Sequence, residues 1–138
     1  MTHRSYPLYA IGVVESVLTE PAEAPRQSDE DAPPAWLVFE PELRSGLAGI
    51  EAGAEVIVLT WLDRARRDTL TVHPRGDLSR PRQGVFATRS PHRPNPIGLH
   101  RVKVSEVDGL RLRVDHLEAV HGTPIVDVKP VLGDPSER

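Results

Sequence analysis

One run of the chain concentrates groups that could hold an anion: Gly84-Val85-Phe86-Ala87-Thr88-Arg89-Ser90-Pro91-His92-Arg93-Pro94-Asn95-Pro96-Ile97-Gly98-Leu99. Arg89 and Arg93 carry guanidinium groups, whose planar fork binds a carboxylate or phosphate through two hydrogen bonds. Pro91, Pro94 and Pro96 hold φ near about −65° and remove backbone donors, so much of the ordering entropy is lost in advance. A loop that only reverses the chain needs a glycine or a proline and polar neighbours. It does not need two arginines set in a proline ladder. Asp127 and Lys129 alternate with Val126 and Val128, which puts them on one face of a strand. With Arg93 they could form a charged cluster beneath the ladder, either touching a substrate or fixing loop geometry as an ion pair. Asn95 reads as an amide clamp on substrate or as a turn residue. Arg93, Asn95, Asp127 and Lys129 are therefore the candidate substrate contacts. The six histidines show no helical two-histidine spacing and there is no cysteine, so no metal site is expected.

The elements that must position these groups are short. Residues 8–18 read as a strand, with Ile11, Val13, Val14 and Val17 around Gly12. Residues 37–39, 55–62, 69–73, 84–88, 97–107, 110–117 and 125–128 follow as strands, with Gly98 marking a bend or bulge. Asp108-Gly109 is a two-residue hairpin turn. Pro41 to Ala52 reads as one or two helical turns, with the proline at a tolerated first position. Residues 19–35 are rich in proline, alanine and acids without periodicity, which predicts a long mobile loop. The expected architecture is mainly β: a single antiparallel or mixed β-barrel of about seven short strands with one or two short helices. The whole of 1–138 is expected to form one domain, with no additional C-terminal domain.

The bulk numbers bound the function classes. A chain of 138 residues suffices for one core. Aromatic residues are only 4%, so that core must rest on valine, leucine and isoleucine. The lack of cysteine excludes a disulfide framework and fits a reducing cytosol. No apolar run reaches the roughly 18 residues of a membrane span, and the first residues lack the apolar stretch of a signal peptide. A cytoplasmic location is the expectation. The net charge of −3 argues by itself against a dedicated nucleic-acid binder. Its distribution says more: residues 64–101 hold nine arginines against Asp68 and Asp77. Such a segment could face a polyanion, or be a solvated surface with scattered pairs.

The 84–99 run resembles the signature of the TrmO (TsaA-like) family, S-adenosylmethionine-dependent methyltransferases built on a β-barrel. His121-Gly122-Thr123-Pro124-Ile125-Val126-Asp127-Val128-Lys129-Pro130 is similar to the family's D-G-T-P-x-x-D-x-K-P, and Pro25-Arg26-Gln27 to a P-R-Q segment near the N-terminus. The resemblance implies binding of S-adenosylmethionine on barrel loops, and the chain indeed lacks the G-x-G-x-x-G of a dinucleotide-type fold. By resemblance, Arg89, Leu99 and the stretch Asp115-His116-Leu117-Glu118 contact the cofactor. Arg64 and Ala65 align with a further contact pair. Ser28, Asp29 and Glu30 align with a loop that closes over it. The resemblance also implies a homodimer, and methylation of N6 of threonylcarbamoyladenosine next to the tRNA anticodon, with the anticodon arm as partner.

That nitrogen is acylated and weakly nucleophilic, so a base would help. His92, His116 and Asp63 are the candidates. Several positions depart from the family pattern. Ala54-Glu55 stands where S-H is common, Asp63 where a histidine ends the central strand, His121 for the aspartate of D-G-T-P, and Val131 for an aromatic residue. These departures keep two alternatives open: the same chemistry on a small molecule, and a non-catalytic S-adenosylmethionine-binding module.

Overall fold

The computed structural model describes residues 4–20 and 32–133. Eight strands occur in chain order: β1 (Gly12–Glu15), β2 (Ala35–Phe39), β3 (Glu55–Trp61), β4 (Thr71–Val72), β5 (Gln83–Gly84), β6 (Ile97–Asp108), β7 (Arg111–Asp115) and β8 (Pro124–Pro130). Six of them close a barrel in the order β1-β2-β7-β6-β3-β8, and β4 and β5 form a separate ribbon. Every pairing is antiparallel. The mainly β barrel expected from the sequence is thus present, with an antiparallel rather than mixed sheet.

Alternation drives the wall. In β6, Gly98, His100, Val102 and Val104 face inward and the residues between them are exposed. In β3, Val56, Val58 and Thr60 do the same. The interior is filled by Val14, Leu37, Phe39, Val56, Val58, Val102, Val104, Leu112, Val114, Leu117 and Ile125. Burying branched side chains of this size gives about 1.5–3 kcal/mol each, which is why a chain so poor in aromatics can hold a barrel.

Three expectations need correction. The strand read over 84–88 is only the end of β5; Val85–Ala87 is a turn of 3-10 helix, because the proline ladder that follows offers few donors for a ladder partner. The helical turns read over 41–52 are a 3-10 segment, Pro41–Leu47, with no buried residue to favour a longer α-helix. The hairpin turn falls one residue later, at Gly109-Leu110, since Asp108 still pairs with Arg111.

Antiparallel closure sorts the connections. The β1–β2, β3–β6 and β7–β8 connections all lie at one end of the barrel, where Glu15, Trp61 and Asp115 finish and Ala35, Ile97 and Pro124 begin. The opposite end carries the 40–54 connection and the tight β6–β7 hairpin. A Cβ on Gly12 would stand 2.3 Å from the Val38 carbonyl oxygen, a backbone atom that cannot swing away. Gly12→Ala should therefore cost about 1–3 kcal/mol, read as a lower urea midpoint with an unchanged slope.

Candidate functional site

The connection-bearing end is the candidate site. The 62–96 connection is built by its own arginines. Arg93 Nη1 donates to the carbonyls of Thr88 and Ser90, both at 3.0 Å, and its backbone N–H donates to the Arg66 carbonyl. Arg67 donates through Nε to the Pro94 carbonyl at 2.7 Å and through Nη2 to Asn95 Oδ1 at 3.0 Å, and lies 5.1 Å from the centre of the Trp61 ring. Arg66 holds Asp68 through two bonds of 3.1 Å. The hydrogen bonds and the opposite charge hold the Asp68 carboxyl below the usual carboxylate range and raise Arg66. Arg64 donates to the Thr19 carbonyl, tying this connection to the one that leaves β1. Arg82 clamps Thr71 across the β4–β5 ribbon. Much of the basic segment is thus loop scaffold.

Arg89 differs. It is exposed, and it makes no hydrogen bond or ion pair with the described residues. The scaffold built by Arg93 and Arg67 thus carries a guanidinium whose own donors are unused among the described residues. That division of labour was not legible from residue type, because Arg89 and Arg93 look alike in sequence.

The β7–β8 connection supplies the second half of the end. Leu117 and Ala119 are buried and anchor it, and the Leu117 N–H donates to the Pro33 carbonyl at 3.0 Å. His116 has φ 59°, a left-handed conformation uncommon for a residue with a side chain. Its Nδ1 lies 3.1 Å from the Ala32 carbonyl oxygen, so Nδ1 carries a proton and donates it there. His92 is arranged the other way, since its Nδ1 accepts the Arg66 backbone N–H at 3.0 Å. Glu118 reaches inward: Oε1 lies 2.6 Å from His100 Nδ1, and His100 Nε2 lies 2.7 Å from Thr60 Oγ1. Glu118 Oε2 is buried and has no partner among the described residues.

Thr60 and His100 escaped the sequence reading. The available signal was the alternation in β6, which puts His100 on the same face as Val102 and Val104. Of the expected residues, Arg64, Ala65, Arg89, Arg93, Asn95, Asp115, His116, Leu117 and Glu118 are all at this end. Ser28, Asp29 and Glu30 lie outside the described residues. Leu99 pairs with Leu59 on the outer wall, its side chain exposed and turned away from the interior that His100 faces. The charged cluster of Arg93, Asp127 and Lys129 is not formed. Asp127 and Lys129 pair with each other at 3.2 Å on the outer wall, and Arg93 is used by its own loop. Asn95 is a turn residue held by Arg67. Among the described residues no group of side chains is arranged to hold a metal ion.

Residues 13–134 match the family model described as the tRNA-methyltransferase O N-terminal domain. The chain belongs to this family. It is 48% identical over 123 residues to a probable S-adenosyl-L-methionine-binding protein of Archaeoglobus fulgidus, covering 89% of this chain and 33% of that protein. An S-adenosyl-L-methionine-binding protein of the same organism is 46% identical, covering 88% of this chain and 86% of its own length. The crystal structure of TrmO from Pseudomonas aeruginosa matches with a TM-score of 0.74 at 29% identity, over 96% of this chain and 59% of that one. This chain therefore spans less than two thirds of the solved TrmO chain and of the first of these relatives.

The TrmO-like frame explains one departure. His121, which stands where the family pattern has aspartate, accepts the Ser16 backbone N–H on Nδ1 at 3.2 Å, and its own backbone N–H donates to the Leu18 carbonyl. The imidazole makes a bond that a carboxylate could also make, so the joint between the β1 and β8 ends survives the substitution. The loop scaffold itself yields a contrast in stability. Arg93→Ala removes two bonds to carbonyls and should cost about 1–3 kcal/mol. Arg89→Ala should stay within about 0.5 kcal/mol of wild type. Parallel urea unfolding of the two variants reads the difference.

Proposed function

We propose that the chain is an S-adenosylmethionine-dependent methyltransferase that N6-methylates threonylcarbamoyladenosine next to the tRNA anticodon. The observation that carries the cofactor half is a pair of groups of opposite sign at one barrel end that have no partner among the described residues: the Arg89 guanidinium and Glu118 Oε2. They complement the carboxylate of S-adenosylmethionine and its ammonium or ribose hydroxyls. The names of the Archaeoglobus fulgidus relatives support the same reading. Bound S-adenosylmethionine supplies an electrophilic methyl group on a sulfonium. What the protein must add is alignment, exclusion of water and removal of the N6 proton.

His116 is the base that the geometry favours over His92 and Asp63. Its Nδ1–H is bonded to the Ala32 carbonyl, which leaves the opposite ring nitrogen as the proton-exchanging one at the site end, whereas His92 already uses Nδ1 as an acceptor for a backbone N–H. The tRNA half is supported by Phe86, 78% exposed and three residues before Arg89 in the same connection. An exposed ring beside cationic groups suits a splayed base and its phosphate. Leu59, Leu99 and Ile97 share an outward strip of the β3–β6 wall that suits the partner barrel of a homodimer, a point sedimentation equilibrium checks.

The experiment is calorimetric titration with S-adenosylmethionine, then methyl transfer to tRNA from a strain lacking the homologous enzyme. The account expects binding, weakened by about 1.5–3 kcal/mol in Arg89→Ala, and a methylated adenosine product whose formation falls steeply with salt. His116→Gln should keep binding and lower turnover by about 10²-fold or more. Binding without any tRNA product would instead favour a small-molecule substrate or a sensor.

A further inference from the structure

The barrel interior is apolar except at the site end, where Thr60, His100 and Glu118 form a continuous hydrogen-bonded chain. Thr60 is 0% exposed and His100 5%. Their position is made possible by Gly98. A Cβ there would stand 2.4 Å from Thr60 Oγ1 and 2.7 Å from His100 Nε2, so any larger residue would push the chain apart. Burying three polar side chains in a small barrel is costly, and well-packed apolar residues in their place are often at least as stable. Stability alone does not account for them.

The tautomer that completes the chain has the Thr60 hydroxyl donating to His100 Nε2 and His100 Nδ1–H donating to Glu118 Oε1. Every hydrogen is then used, and all of them point toward the carboxylate. The chain ends on Glu118 Oε2, which lacks any donor among the described residues. Glu118 retains 10% of its side-chain surface, so it lies just under the surface of the connection-bearing end rather than at the barrel axis. A carboxyl group with one oxygen held by a donor and the other without one among the described residues is suited to accepting a hydrogen bond from a ligand.

We infer that Thr60 and His100 are positioning residues that orient the Glu118 carboxylate so that Oε2 accepts a donor of the bound cofactor, either its ammonium group or its ribose hydroxyls. This rests on the cofactor reading above. It adds that the affinity of the site is set partly inside the barrel, two hydrogen bonds away from the ligand. Thr60 does not touch Glu118; the carboxylate, which only accepts, keeps the proton on His100 Nδ1, and the Thr60 hydroxyl holds the far side of the ring at Nε2. Without the Thr60 hydroxyl, the ring loses the partner on Nε2 that holds its position, and the carboxylate bonded to Nδ1 loses its fixed orientation.

The test uses the full chain and two probes, S-adenosylhomocysteine and 5′-methylthioadenosine, which lacks the amino-acid part. Thr60→Val is nearly isosteric and removes only the far end of the chain. It should weaken S-adenosylhomocysteine binding by about five- to tenfold. Thr60→Ser should restore it. His100→Leu should weaken binding further. His100→Asn, whose amide N–H can still reach Oε1, should recover part of the loss. Melting followed by circular dichroism shows that each variant is folded. Losses confined to S-adenosylhomocysteine assign the donor as the ammonium, and equal losses for both probes assign it as the ribose; either result supports the arrangement. Wild-type affinity in folded Thr60→Val and His100→Leu would overturn it. A wild-type protein that binds neither probe would overturn the cofactor reading itself, which separates the two failures.

Discussion

The structure depends on the closure of six strands with every neighbour antiparallel. Closure gives each of β1, β2, β3, β6, β7 and β8 a neighbour on both sides, so none of them is a free edge strand. It also forces alternate connections to opposite ends. Three connections meet at one end, and they carry the arginine and proline run, the His116–Glu118 stretch and the segment that follows β1. Residues far apart in sequence become neighbours because of this one topological constraint. Thr60 and Glu118 are joined through His100 although 58 positions separate them in the chain.

Within that frame the charged groups divide into scaffold and site. Arg64, Arg66, Arg67, Arg82 and Arg93 are used on carbonyls and on nearby side chains, and they make a long connection rigid without a hydrophobic core of its own. Arg89 and Glu118 Oε2 are left over among the described residues. Glu118 Oε2 is the buried side-chain atom left without a partner among the described residues. A bare carboxyl oxygen under the surface costs free energy, which is the physical ground for the proposal that a ligand donor meets it. His116 adopts a left-handed backbone there and its Nδ1–H donates to the Ala32 carbonyl, which fixes the ring's place at this end.

Most of the barrel was legible in the sequence because alternation is a local signal. Strands β3, β6 and β7 follow the apolar positions almost residue for residue. The ribbon β4–β5 and the 3-10 turn at Val85–Ala87 were harder, since proline removes the donors that alternation assumes. Site residues divided differently. Motif resemblance singled out Arg89 and the 115–118 stretch, and barrel closure brings their two connections to the same end. Which arginine is free did not, because that depends on where the Thr88 and Ser90 carbonyls point. The Arg93–Asp127–Lys129 cluster failed for the same reason: sharing a face predicts neighbours on one strand, not contact with a distant loop. His100 and Thr60 were hidden in plain alternation, as single polar residues at inward positions.

The most direct measurement is a crystal structure of the chain with S-adenosylhomocysteine. The account predicts the ligand at the connection-bearing end, with its carboxylate on Arg89 and a donor within hydrogen-bond distance of Glu118 Oε2. Arg93 should still be bonded to the Thr88 and Ser90 carbonyls. A ligand bound elsewhere, or one at this end that leaves both Arg89 and Glu118 Oε2 without a contact, would contradict it.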